Sequence, residues 1–256
     1  MRSAEIDATA SVEAARQVLA PSGVLRAAIN LGNSVLAQRD PTTGKVCGVS
    51  AELSEALGRR LGVDVQLVEF TAAGKVVHAL GQRLWDIAFL AIDPERSADL
   101  IFTPPYVLIE GAYLVRDESP VATSSDVDHA GVSVGVSVGS AYDLFLTRTL
   151  RRARIERSPT AIESLDLLAN GTLDVAAGVR QVIERYARQR SALRVVEPSF
   201  MVIRQALALP RRADPDDAGI HYLTRFIEAM KRDGVISESL ARNGEADVAV
   251  AAPQDV

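Results

Sequence analysis

A chain of 256 residues, 48% hydrophobic and 24% charged, has apolar material for two α/β lobes of roughly 100–130 residues and is too evenly balanced for wholesale disorder. Its net charge of −5 excludes a general nucleic-acid binder, which needs a basic face against phosphates. One cysteine, Cys47, excludes an internal disulfide. His78, His129 and His221 lie too far apart for metal-ligand spacing, so neither a metal nor another cofactor is expected.

The first 23 residues carry Glu5, Asp7, Glu13 and Arg16 and lack the apolar core of about 7–15 residues that a secretory signal needs. The expected compartment is the cytoplasm, or the periplasm for a trimmed mature form. Val12, Ala15, Val18 and Leu19 recur at helical spacing and predict an amphipathic helix over 10–20, stopped by Pro21 and Gly23. A strand is predicted over 24–29, and a polar loop over 30–48. Leu53, Ala56, Leu57 and Leu61 predict a helix over 51–61 closed by Gly62. Strands over 63–70 and 85–92 flank a short helix over 75–80. Asp93-Pro94-Glu95-Arg96 reads as a helix start with Asp93 at the cap and Pro94 in the first turn. A long strand over 106–115 follows.

The alternation then restarts. Val132, Val134, Val136 and Val138 predict a strand ending at Gly139-Ser140. Helices are predicted over 141–149, 161–169 and 182–189, strands over 173–177, 193–196 and 204–209, then helices over 222–232 and 235–240, and a loose tail over 246–256. Arg148, Arg151, Arg152, Arg154 and Arg157 read as a solvated helix face. Two successive α/β units with a returning strand predict a two-lobed α/β protein, each lobe a mainly parallel sheet flanked by helices. The first lobe is discontinuous, 1–115 with 207–256. The second, 116–206, is inserted, and two crossings serve as hinges. Ligands of such sheets sit beyond the carboxyl ends of the strands, here in the cleft.

Several segments in this order resemble a known family. Gly48-Val49-Ser50-Ala51-Glu52-Leu53 is similar to its GFDVDL segment, and Trp85-Asp86-Ile87-Ala88 to its xDxxxA strand. Ile92-Asp93-Pro94-Glu95-Arg96 resembles ITPER, and Phe102-Thr103-Pro104-Pro105-Tyr106 resembles FSxPY. Residues 134–140 resemble VGVxxGS, Asn170-Gly171-Thr172-Leu173-Asp174 resembles xGxxDA, and Met230-Lys231-Arg232-Asp233-Gly234 resembles LKxDG. From about residue 23 to residue 243 the chain thus resembles bacterial solute-binding protein family 3, the substrate-binding components of polar amino-acid ABC transporters with a type II periplasmic-binding-protein-like fold. The resemblance implies a small-molecule ligand in the inter-lobe cleft and an ABC permease as partner, with no nucleic acid and no membrane insertion.

Arg96 is the first candidate ligand-binding residue: near the third position of a helix a cation suits the dipole only if an anion shares the site, and the matching arginine of the family grips the ligand's carboxylate. Gly139, Ser140 and Ala141 either offer a second anion-binding helix N-terminus or make a plain strand-to-helix turn. Asn30 and Asn33 follow the first strand, where they either meet the ligand or serve the turn. The resemblance places Phe89, Leu90, Ala91 and Tyr142 along the cleft. Family members that bind amino acids hold the ammonium with an acidic residue, but the matching stretch here is Ala177-Gly178-Val179-Arg180. The expected ligand is therefore a carboxylic acid without a free α-amine, with a second anionic group near Arg180.

The chain is not expected to be an enzyme. Two G-x-S-x-G matches, at 131–135 and 135–139, put Ser133 and Ser137 within or before the strand end rather than at a nucleophile elbow. Cyclohexadienyl dehydratase chemistry, known from relatives in the family, needs a positioned carboxyl where Val179 and Arg180 stand. That activity, or a cytoplasmic ligand sensor acting through a protein partner, is the alternative reading.

Overall fold

The computed structural model describes residues 12–211 and 218–255. Helix α1 spans 12–19 and buries Ala15 and Leu19; positions 10 and 11 of the expected helix lie outside the described residues. Strand β1 (Val24–Asn30) leads through a hairpin, β2 (Gln38–Arg39) and β3 (Val46–Cys47), into α2 (Val49–Leu61). Leu53, Leu57 and Leu61 bury one face of α2 completely or nearly so, and each leucine buried in this way stabilises the fold by roughly 1.5–3 kcal/mol. Gly62 ends the helix at φ 68°, the left-handed region that glycine adopts without strain. Then come β4 (Asp64–Phe70), α3 (Ala73–His78), β5 (Ile87–Ala91), β6 (Leu100–Phe102) and β7 (Val107–Arg116).

The second half is built from β8 (Ser133–Ser137), α4 (Ala141–Thr149), β9 (Arg154–Ser158), α5 (Ala161–Ala169), β10 (Val175–Val179) and α6 (Arg180–Arg188). Strand β11 (Leu193–Pro210) returns, followed by α7 (Ala218–Arg232), α8 (Val235–Arg242) and β12 (Ala249–Val250). Ser140 caps α4 by accepting the Asp143 N–H, and Thr160 caps α5 by accepting that of Glu163.

The sheet runs β4-β1-β5-β11-β7-β10-β8-β9. Its wings are parallel: β1 pairs β4 and β5, and β8 pairs β9 and β10. Its centre is antiparallel, because β11 pairs both β5 and β7, and β7 pairs β10. One continuous mixed sheet therefore replaces the two separate sheets expected. The reason lies in β11: the strands expected at 193–196 and 204–209 are one strand of 18 residues, with an irregularity in register between Val196 and Met201. Helix α3 packs on one face of the first wing over Val76, Trp85 and Leu90, while α5 and α6 cover Leu114 and Ala176 with Leu165, Leu168 and Ile183.

Three further expectations are corrected. No helix starts at Asp93; residues Arg96–Ala98 form a short 3-10 turn, in which the Asp93 carboxylate accepts the Glu95 N–H. The arginine-rich stretch is not a helix face, since Arg154 and Arg157 lie on β9, pairing along β8. The C-terminal segment is tied down: Ala249 and Val250 pair with β7, the Ala251 N–H donates to the Tyr106 carbonyl, and the Gln254 N–H to the Glu228 carboxylate. Among the described residues no helix is long and apolar enough to cross a membrane.

Candidate functional site

A cavity of about 710 Å3, counting its mouth, lies between the two wings. From the first wing it is lined by Asn30 and Asn33 after β1, by residues 71–73 before and at the start of α3, by Phe89, Leu90 and Ala91 at the end of β5, and by Arg96. From the second wing come Ser137, Ser140, Ala141 and Tyr142 at the β8–α4 junction, Ala161, and Val179 with Val182. Ile203 and Gln205 of β11 complete it. The position is the one topology predicts, beyond the carboxyl ends of parallel strands.

Among the described residues, Arg96 is the one charged residue of the lining. It is 4% exposed. Its Nη1 donates to the Ala91 carbonyl at 2.9 Å and its Nη2 to the Gly139 carbonyl at 2.8 Å, joining the wings. Its Nε has no partner. Burial pulls the guanidinium down to about 10, with nearby Asp93 and Glu95 opposing the shift. Asp93 does not neutralise it by contact, because that buried carboxylate holds Arg148 of α4 at 2.7 and 3.2 Å. A cation that is desolvated, short of one acceptor and unpaired with any carboxylate is suited to an anionic guest.

The N-terminus of α4 is less available than the sequence implied. The Gly139 N–H donates to Asp143 Oδ2 at 2.8 Å, the Ser140 N–H to the Ser137 carbonyl at 3.1 Å, and the Asp143 N–H to Ser140 Oγ at 3.0 Å. Ala141 and Tyr142 remain as first-turn donors without an intrahelical acceptor. Gly139 itself is outside the lining and contributes through its carbonyl to Arg96. Burial pushes the Tyr142 phenol up to about 12, so it stays protonated at neutral pH. Phe89 packs edge-on against Tyr106, with ring centroids 6.1 Å apart.

Asn30 accepts the Gly32 N–H at 3.0 Å through Oδ1, the turn role that was one of its two readings. Asn33 is 6% exposed and its Oδ1 has no partner. Arg180 is the clear correction. It lies outside the cavity and is held by Glu110 at 2.6 Å, Glu197 at 2.6 and 2.8 Å, and Ser199 at 2.7 Å. Those carboxylates raise its pKa, and their partnership leaves it unsuited to a second anionic group of a ligand in the cavity. Gln205 is the main lining residue that sequence reasoning missed. Its signal was a lone amide opening the otherwise apolar run Gln205-Ala206-Leu207-Ala208-Leu209.

Other contacts also join the wings across the cavity. Gly74 approaches the second wing so closely that a Cβ there would sit 2.6 Å from the Val138 carbonyl oxygen. Arg185 of α6 pairs with Glu245 and donates to Ser34 Oγ at 2.8 Å. The G-x-S-x-G serines are not nucleophiles at an elbow: both lie in β8, and Ser133 Oγ is committed to Asp174 at 2.7 Å.

A mixed α/β sheet with a cavity at its strand ends, in which Arg96 is the charged group among the described residues, fits a protein that captures a small solute. Residues 34–246 match the family model for bacterial extracellular solute-binding proteins, family 3, and the chain belongs to that family. A search of curated proteins found no match. Among solved structures, an amino-acid ABC transporter substrate-binding protein from Streptococcus pneumoniae bound to L-arginine is 19% identical, with a TM-score of 0.76 over 90% of this chain and 98% of that one. A binding component of an ABC transporter from Wolinella succinogenes in complex with lysine is 22% identical, with a TM-score of 0.72 over 86% and 95%. An ancestral amino-acid-binding protein described as a precursor of cyclohexadienyl dehydratase is 24% identical, with a TM-score of 0.72 over 87% and 96%. These likenesses establish the type II periplasmic-binding-protein fold.

Proposed function

We propose that the protein binds a small carboxylic acid lacking a free α-amine and delivers it to an ABC-type permease. The lobe built on β1, β4 and β5 closes on the lobe built on β8, β9 and β10 about the crossings in β7 and β11. One observation carries the reading: among the described residues Arg96 is buried in the cavity with its Nε unpartnered, and no carboxylate lines that cavity. A monoanion fits this balance. An α-ammonium, or the side-chain cation of arginine or lysine, would be buried beside Arg96 with nothing to neutralise it, which is costly. The apolar lining of Leu36, Phe89, Leu90, Val179, Val182 and Ile203 suits a largely uncharged ligand body. The lack of a lining carboxyl also leaves no general acid of ordinary strength, which favours capture over lyase chemistry.

The test is a thermal-shift screen against amino acids, keto acids, hydroxy acids and aromatic acids. A ligand present at 100 times its dissociation constant stabilises the fold by about 2.7 kcal/mol, roughly 5–10 °C for a protein of this size. Acids without an α-amine are expected to give that shift. A larger shift with arginine or lysine than with any such acid refutes the reading.

A further inference from the structure

Gln205 and Asn33 present a second recognition element that the carboxylate reading does not use. Both are more than nine-tenths buried, both line the cavity, and Gln205 Oε1 and Asn33 Oδ1 have no protein partner. They lie together. Gln205 on β11 is in register with Ala91 on β5, and Asn33 follows β1, the other neighbour of β5 in the sheet. The two carboxamides thus flank the end of the strand whose Ala91 carbonyl holds Arg96. A buried polar atom without a partner is penalised until something in the cavity satisfies it.

Resting on the carboxylate reading above, we propose that Gln205, assisted by Asn33, selects an acid bearing a hydroxyl group. The chemistry singles out a hydroxyl. The oxygen and nitrogen of a carboxamide exchange places by a half-turn about the last torsion, so each amide offers either an acceptor or a donor. A hydroxyl both donates and accepts, and it meets either orientation without adding charge. A keto oxygen only accepts, and an ammonium only donates and brings a charge that the lining does not balance.

The experiment is calorimetric titration of matched pairs, butyrate against its monohydroxylated isomers and phenylpropanoate against its ring- and chain-hydroxylated derivatives. Wild type, Gln205→Met and Arg96→Met are compared, each checked by its melting transition. At least one hydroxy acid should bind about 10-fold or more tighter than its parent, because a site built to hydrogen-bond a hydroxyl discriminates against the analogue that lacks it. In Gln205→Met that advantage, read as the ratio of the two affinities within the variant, should shrink to about threefold or less, and in Arg96→Met both acids should be lost. If Gln205→Met does not fold, Gln205→Asn, which withdraws the amide by one methylene, is read in the same way. An unchanged hydroxyl advantage in the Gln205 variant, or no hydroxyl advantage in any pair, overturns the proposal. Failure of every carboxylate to bind wild type, or undiminished binding by Arg96→Met, instead overturns the carboxylate reading on which it rests.

Discussion

Replacing Arg96 with methionine separates the ligand's charge from the fold's own stability. In the complex the substitution leaves the guest carboxylate buried without a counter-charge. Breaking one partner of a buried ion pair costs about 3–5 kcal/mol, so affinity should fall roughly 100- to 4,000-fold. In the unliganded protein the terms oppose each other. Burial pulls the pKa of the guanidinium well below its ordinary value, down to about 10, a desolvation cost of roughly 3 kcal/mol at neutral pH. Methionine removes that cost but also removes the bonds to the Ala91 and Gly139 carbonyls, each worth about 1.5–3 kcal/mol as charged hydrogen bonds. The net loss is then about 0–3 kcal/mol, so the melting temperature without ligand should fall by about 12 °C at most. The pH dependence follows with a definite sign. From pH about 10 up to the ordinary arginine value the unfolded chain holds a proton at this position that the folded one has released, so Arg96's own contribution to stability rises with pH in that window. Ligand affinity should do the opposite, weakening about tenfold per pH unit above about 10 as the cation is lost. Calorimetric titration with an acid from the screen, and melts of wild type and variant over the same pH range, measure both. Affinity within about threefold of wild type in the variant, or an apo melting point lowered by more than about 15 °C, refutes the assignment of Arg96 as a ligand anchor.

Gly74→Val tests closure directly. A Cβ at this position would stand 2.6 Å from the Val138 oxygen and 3.2 Å from Gly139 Cα, and overpacking of about 1–3 kcal/mol in the closed state should weaken ligand binding about 5- to 150-fold. Small-angle scattering should show a larger radius of gyration, and unchanged affinity would mean that this contact does not limit closure. Lys231→Met breaks a pair whose side chains are both 0% exposed, leaving Glu228 buried without its cation. The expected loss is about 3–5 kcal/mol, or roughly 6–20 °C in melting temperature. The double change Lys231→Met with Glu228→Gln should recover part of it, and a single variant as stable as wild type would contradict the pairing.

Periodicity carried the helices and most strands because their partners lie nearby in sequence. Leu53, Leu57 and Leu61 recur at helical spacing and are buried on α2, and the alternating valines from 132 to 138 give the buried β8. What it missed depends on distant partners. Strand β9 is Arg-Ile-Glu-Arg-Ser, too polar to signal burial, and its pairing with β8 supplies the missing reason to be extended. The C-terminal segment reads as a loose tail until Gln254 meets the buried Glu228. At the site, Arg96 was legible from the resemblance but not from the helix argument, since the helix does not form. Arg180 was misjudged because the carboxylates that hold it, Glu110 and Glu197, come from β7 and β11, 70 and 17 positions away.

The charge balance around the cavity explains why one arginine in so arginine-rich a chain stands unpaired in its lining. Arg148 is met by Asp93, Arg157 by Asp143, Arg185 by Glu245, and Arg180 by Glu110 and Glu197. Each such pair spends its charge within the protein and has little left to attract a guest. Asp143 does more: its carboxylate accepts the Gly139 N–H, so an internal anion already sits at the start of α4, where the helix dipole would otherwise favour an external one. Arg96 alone among these cations has only neutral carbonyls as acceptors and an Nε without any. A second carboxylate on the ligand would find no comparable partner in the lining, and a second cation would find only repulsion. On the proposed reading, the cavity therefore discriminates by charge before shape, favouring a single negative charge at Arg96 and neutral chemistry elsewhere.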